Sequence, residues 1–159
     1  EERAALADPY SYAVFDLDRG TAGGILAFFE IRPAMRVIEM GGVIYGRALQ
    51  GTTAATEAQY LMARYAFETL GYRRYEWKCD ALNKKSWRAA ERLGFTFEGL
   101  FRQHRIVKGH NRDTAWFAML DVEWPARKRA FERWLAPDNF DAAGRQRVSL
   151  SSLNGADHG

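Results

Sequence analysis

The chain has 159 residues, 47% of them hydrophobic, 14% aromatic and 27% charged, which excludes a disordered or fibrous protein and allows one domain with its own core. A formal net charge of +3 and a pI near 9.1 tilt it toward anionic partners without naming one, and the single cysteine, Cys79, excludes an intrachain disulfide and a cysteine-built zinc site. No apolar run reaches the roughly 18 to 20 residues of a membrane span, so the expectation is a soluble protein in the reducing cytoplasm, with a translated start upstream of Glu1.

Residues 11 to 17, SYAVFDL, alternate as a strand does; DRGTAGG supplies turn chemistry, and ILAFFEI completes a hairpin. RPAMR makes another turn before VIEMGGVIYG, a third strand whose Gly41-Gly42 predicts a bulge or a close backbone approach. From Thr53 to Leu70 the apolar and small residues Ala54, Ala58, Leu61, Met62, Tyr65, Ala66 and Leu70 recur at helical spacing, with Gly71 at the C-cap. RRYEWKCDA follows as a strand. LNKKSWRAAERLG then reads as a short helix, capped by Asn83 and stopped by Gly94, with Trp87, Ala90 and Leu93 turned to the core.

FTFEGLFRQHRIV and TAWFAMLD flank KGHNRD as a long hairpin, and EWPARKRAFERWL is a helix or a pair of turns. Beyond Pro137 the chain turns polar, and RQRVSLSSLNGADHG would fray unless docked. Three antiparallel strands, helix, strand, helix and two strands imply an α+β layer rather than a doubly wound fold. No internal repeat or low-complexity linker interrupts it.

Two segments carry chemistry. LQGTTAATEA puts a small-residue loop at the entry of the long helix, where unpaired N–H groups and the helix dipole favour a phosphate, although an ordinary helix start reads the same way. It is no Walker loop, lacking Gly-Lys-Ser/Thr, and no dinucleotide fingerprint, lacking spaced glycines. DALNKKSWRAAERLGF places Asn83 and Ser86 at a second helix start, which by itself describes a cap and a first-turn serine.

Taken in order, the Gln-Gly loop, the helix with TEA, Asn-x-x-Ser, RLGF, EG, the hairpin, RD and EW resemble the GNAT superfamily of N-acetyltransferases, in its RimJ/RimL-like branch, over residues 11 to 125. The resemblance implies a mixed α/β fold with a mostly antiparallel central sheet, a splayed parallel strand pair and flanking helices. It implies an acetyltransferase domain over 1–125 lacking the family's N-terminal strand and helices, with 126–159 as a C-terminal helix and polar tail. It also implies acetyl-coenzyme A as cosubstrate, an amine acceptor, no metal, and a homodimer.

On the same resemblance the pyrophosphate loop maps onto Gln50-Gly51-Thr52-Thr53-Ala54-Ala55, with Thr53 where glycine is usual; a β-branched residue there limits close approach of the phosphate. Asn83 is the expected coenzyme A contact, and Lys84, Lys85 and Arg88 are placed to meet its 3'-phosphate or to form a solvated face. Ser86 is the expected acid, acting as a hydrogen-bond donor to the departing sulfur because a serine is too weak an acid to do more. The base is less direct, because the strand position where the branch carries a carboxylate holds Arg105. Glu39 is the first substitute and His104, whose ordinary pKa suits neutral pH, the second. Cys79 reads as a packed thiol. Arg102, His104, His110 and Arg112 would border a pocket favouring an anionic group near the amine.

Two other readings compete. RLGFTFEGLF faintly resembles the aromatic strand motif of RNA-recognition domains, but Leu93 and Glu98 break the pattern, so nucleic acid is not the expected partner. The vacant carboxylate position and Thr53 motivate the alternative of a degenerate protein that binds acyl-coenzyme A without turning it over. The aromatic residues Trp124, Phe131, Trp134 and Phe140 would cover the chain's own core or a partner's.

Overall fold

A computed structural model describes residues 8–155. The chain divides into two compact units, Glu1–Tyr75 and Glu76–Gly159.

The first unit opens with a three-stranded meander: β1 (Tyr10–Asp16), β2 (Thr21–Arg32) and β3 (Val37–Tyr45), antiparallel throughout. The expected bulge is present. Ile25 and Ala27 of β2 face Ile44 and Gly41, so β3 carries one residue more, and Gly42 takes φ +59°. A Cβ on Gly42 would lie 3.0 Å from the Phe29 ring, so only glycine fits there. Helix α1 (Thr53–Arg64) continues as a π-helical turn to Thr69, and the Tyr72 N–H closes its end on Ala66 O at 3.0 Å. Leu26, Phe28, Ile38, Met40, Ala63 and Tyr75 form the buried centre of this unit.

In the second unit, which takes β4 (Arg74–Asp80) from Glu76 onward, the sheet order is β4, β6 (His110–Leu120), β5 (Thr96–Val107). Helix α2 (Lys84–Arg92) joins β4 to β5; Ala90 and Leu93 are buried, and Trp87 packs on Phe97 and Phe117. The KGHNRD loop is shorter than expected. Lys108 and Gly109 alone make the turn, both at positive φ (50° and 78°), the geometry that matches the twist of a two-residue hairpin, and His110 to Asp113 belong to β6. Polar residues hid this because both hairpin strands are exposed at that end.

EWPARKRAFERWL is one helix, α3 (Trp124–Leu135), with Pro125 in its first turn and Trp124, Phe131 and Trp134 buried in the chain's own core. The polar tail is docked through residue 155. Asn139, fully buried, donates to Trp134 O and Val148 O and accepts from the Val148 N–H. A short helix α4 (Leu150–Leu153) buries Leu150, and Asn154 Nδ2 donates to Arg92 O at 3.0 Å.

Candidate functional site

The loop between β3 and α1 is built from its own backbone. Leu49 and Gln50 donate to Gly46 O, the Gln50 side chain donates to Tyr45 O at 2.8 Å, and Gly51 turns the chain at φ +74° with open space around its Cα. Thr52 is the N-cap of α1: its Oγ1 accepts from the Ala55 N–H at 3.2 Å and donates to Leu49 O at 2.8 Å. Among the described residues the N–H groups of Thr53 and Ala54 have no acceptor, as expected of first-turn groups. Thr53 begins a regular helix, so its backbone does not require the glycine usual at that position. Tyr45 anchors the helix start from β3, its hydroxyl donating to Ala55 O at 3.3 Å and accepting from Gln59 Nε2 at 3.0 Å. Burial pushes the Tyr45 pKa up to about 12, against the smaller lowering effect of Gln59.

Glu39 lies in the same unit, half-buried on β3 opposite Phe29. Its side chain shares a face with Gly41, and a Cβ on Gly41 would come within 3.8 Å of Glu39 Oε1.

In the second unit Asn83 is the N-cap of α2, as expected, its Oδ1 accepting from the Ser86 N–H at 3.1 Å. Lys84, Lys85 and Arg88 are exposed. Ser86, half-buried in the first turn, accepts a hydrogen bond from Trp77 Nε1 at 3.0 Å and hydrogen-bonds Cys79. Cys79 is buried, and desolvation raises its pKa more than Ser86 and Arg112 lower it, so it is a packed thiol.

His104 rides on a bulge of β5. Four steps from Phe101 to Arg105 face two from Thr114 to Arg112, and the Asp113 carboxylate holds the loop by accepting from the Gln103 N–H at 2.6 Å, with Gln103 at φ +50°. The imidazole Nδ1 meets Thr114 Oγ1 at 3.0 Å, and its ring packs on Phe101 and Trp116, over which Lys78 Nζ sits at 4.2 Å. With Nδ1 engaged by Thr114, Nε2 is the ring nitrogen left to meet another group.

The expected residues therefore divide by unit: Glu39 and Gln50 to Ala55 in the first, Asn83, Lys85, Ser86 and His104 in the second. A cavity of about 400 Å³ in the first unit, between β1 and α1, is lined by Val14, Leu26, Leu61 and Met62 with Asp16, Asp18 and Glu57; of the expected residues only Ala54 borders it. It is not where the chemistry was expected. Sequence reasoning passed over Trp77, Tyr45 and Asp113. Trp77 was detectable, since strand alternation puts it on the same face as Cys79. No described group of histidine, cysteine, aspartate and glutamate residues has metal-binding geometry, and no described helix is long and apolar enough to cross a membrane.

The family description "Acetyltransferase (GNAT) domain" matches residues 1–96. A crystal structure of a GCN5-related N-acetyltransferase from Brucella melitensis is 51% identical, with a TM-score of 0.94 over 97% of this chain and 70% of that one. A probable GNAT-family acetyltransferase from Chromobacterium violaceum is 46% identical, with a TM-score of 0.74 over 79% of this chain and 63% of that one. YdaF of Bacillus subtilis, named as a candidate ribosomal N-acetyltransferase, is 29% identical over 69% of this chain, and the match spans 59% of YdaF's own length. The fold is the mixed α/β fold anticipated from the sequence: six strands among the described residues, mostly antiparallel with one parallel pair, and several helices. The chain belongs to the GNAT acetyltransferase family.

Proposed function

We propose that the chain transfers an acetyl group from acetyl-coenzyme A to a primary amine, on a protein N-terminus or a small molecule, by direct attack. The observation that carries this reading is the entry of α1. In a member of an acetyltransferase family, an open Gly51 turn is followed by two N–H groups without acceptors, chemistry that suits a phosphate. Gln50, Gly51, Thr52, Thr53, Ala54 and Ala55 hold the pyrophosphate. Asn83, its oxygen spent on the Ser86 N–H, offers its amide N–H groups to the coenzyme, and Lys85 offers its charge to a phosphate.

In the reaction a neutral amine forms the new C–N bond at the thioester carbonyl, and the C–S bond breaks with its electron pair on sulfur. Ser86 donates a hydrogen bond to that sulfur. Glu39, directly or through a water, takes the surplus proton of the amine, with His104 as the other base. A backbone N–H donor to the developing oxyanion is worth roughly 100- to 1,000-fold in rate, and the Gly41-Gly42 irregularity in β3 supplies the kind of backbone such a donor needs. The acetyltransferase domain spans 1–125, with 126–159 a C-terminal helix and polar tail packed on or trailing from it; Asn154 donating to the Arg92 carbonyl supports packing of the described part. A cytoplasmic setting and a homodimer complete the reading, the latter supported by the exposed edge strand β5 and open to a sedimentation test.

Calorimetry with acetyl-coenzyme A, joined to thiol release across a panel of protein N-terminal peptides and small amines, tests the proposal. Saturable binding, weakened roughly tenfold or about 1.4 kcal/mol by Asn83→Ala, together with amine-dependent turnover, is the expected result. Binding with no turnover on any amine would leave an acyl-coenzyme A sensor. No binding at all would end the reading.

A further inference from the structure

Two side chains of β4 close on one hydroxyl. Trp77 and Cys79 stand two residues apart on the strand, so both project from the same face, and both are buried at 7% and 4% exposure. Trp77 Nε1–H donates to Ser86 Oγ at 3.0 Å, and the Ser86 hydroxyl also hydrogen-bonds the Cys79 sulfur. The Trp77 ring is fixed in turn against Phe95, 5.6 Å between centroids.

A serine hydroxyl has one proton and two lone pairs, whereas an indole N–H donates only. Once the indole occupies a lone pair, the serine proton must point to another acceptor. The one it meets is a thiol sulfur, a weak acceptor, and burial keeps that thiol neutral by raising its pKa. A thiolate is a far better acceptor, because a hydrogen bond to an ionised partner is about twice as strong as one between neutral groups.

We propose that Trp77 is a positioning residue for Ser86: its indole N–H fixes the hydroxyl as a donor, resting on the Cys79 sulfur until a departing thioester sulfur replaces it. The inference rests on the acetyl-transfer reading above. The amine nitrogen forms its bond to the acetyl carbon, the C–S pair stays on sulfur, and the Ser86 O–H turns from one sulfur to the other. The serine keeps its proton. The amine's surplus proton goes to the base, the thiolate is protonated from water, and nothing is oxidised or reduced.

The test uses the full chain and begins with the five tryptophan indole N–H resonances, the Trp77 signal being identified by its loss in Trp77→Phe. Ser86→Ala should shift that resonance and speed its hydrogen exchange while leaving the other four in place, and Ser86→Thr, which keeps a hydroxyl, should restore it. In turnover, Trp77→Phe should lower kcat about tenfold with KM for acetyl-coenzyme A within roughly twofold, and should add nothing in a Ser86→Ala background. A purely structural Trp77 would instead change KM and kcat together and remain additive with Ser86→Ala. If Trp77→Phe fails to fold, a spectrum in which none of the five indole resonances moves with Ser86→Ala still overturns the inference. A wild-type chain that turns over amines while Trp77→Phe matches it overturns the inference alone; a wild-type chain with no turnover overturns the acetyl-transfer reading and this step with it.

Discussion

Asn83 spends its side-chain oxygen on the Ser86 N–H, so Asn83→Ala removes a helix cap and, on the proposed reading, a coenzyme contact at once. The two losses separate by substitution. Asn83→Ala should cost about 1 kcal/mol in urea unfolding, the usual value of a cap, and weaken acetyl-coenzyme A binding. Asn83→Ser keeps a capping oxygen but no amide, and should recover the stability without the affinity. This capping role was legible from Asn-x-x-Ser before a helix. The grip of Trp77 on Ser86 was not, because a contact between strand and helix leaves no local spacing in the sequence.

Among the elements, α1 is tied to β3 by one phenol. The Tyr45 hydroxyl sits between Ala55 O and Gln59 Nε2, and its pKa is pushed up to about 12 by burial. The sign follows from the neutral form being the one the fold prefers. Below pH 10 the folded and unfolded chains both hold the proton and the full contribution is present; as pH rises through 12 it is lost. Tyr12, Tyr72 and Tyr75 are raised in the same direction, chiefly by desolvation. Urea midpoints should therefore fall between pH 10 and 12, and Tyr45→Phe should make that fall shallower, by at most about 2 to 3 kcal/mol across the window. Strands and helices themselves were readable to within a few residues. The β5 bulge was not, since it depends on the Asp113 carboxylate reaching the Gln103 N–H across the hairpin. That contact also decides where His104 sits, which is why a candidate base could be named from sequence but not placed.

Across the whole molecule, polar composition left the C-terminus open between docked and frayed. The polar end from Arg145 is expected to fray unless docked, and its described part is docked: Asn139 gathers Trp134 O, Val148 O and the Val148 N–H in a fully buried clasp, and Trp134 Nε1 reaches Gln146. A single buried amide does what an apolar stretch would otherwise do, and composition cannot distinguish it from a solvated asparagine. Asn139→Ala strands those backbone groups without partners and should cost about 2 to 4 kcal/mol. Trypsin should then cut at Arg145 or Arg147 far faster than in the wild type, and equal cutting rates would dispose of the clasp. By contrast, net charge and the single cysteine excluded an intrachain disulfide and a cysteine-built zinc site and said nothing about the candidate site.

The lone buried Cys79 gives the second unit a built-in clock. Since the chain holds no other thiol, every molecule of an alkylating reagent consumed records one excursion in which β4 and α2 part far enough to admit it. Its labelling rate reads the free energy of that opening directly, in the folded protein and without denaturant.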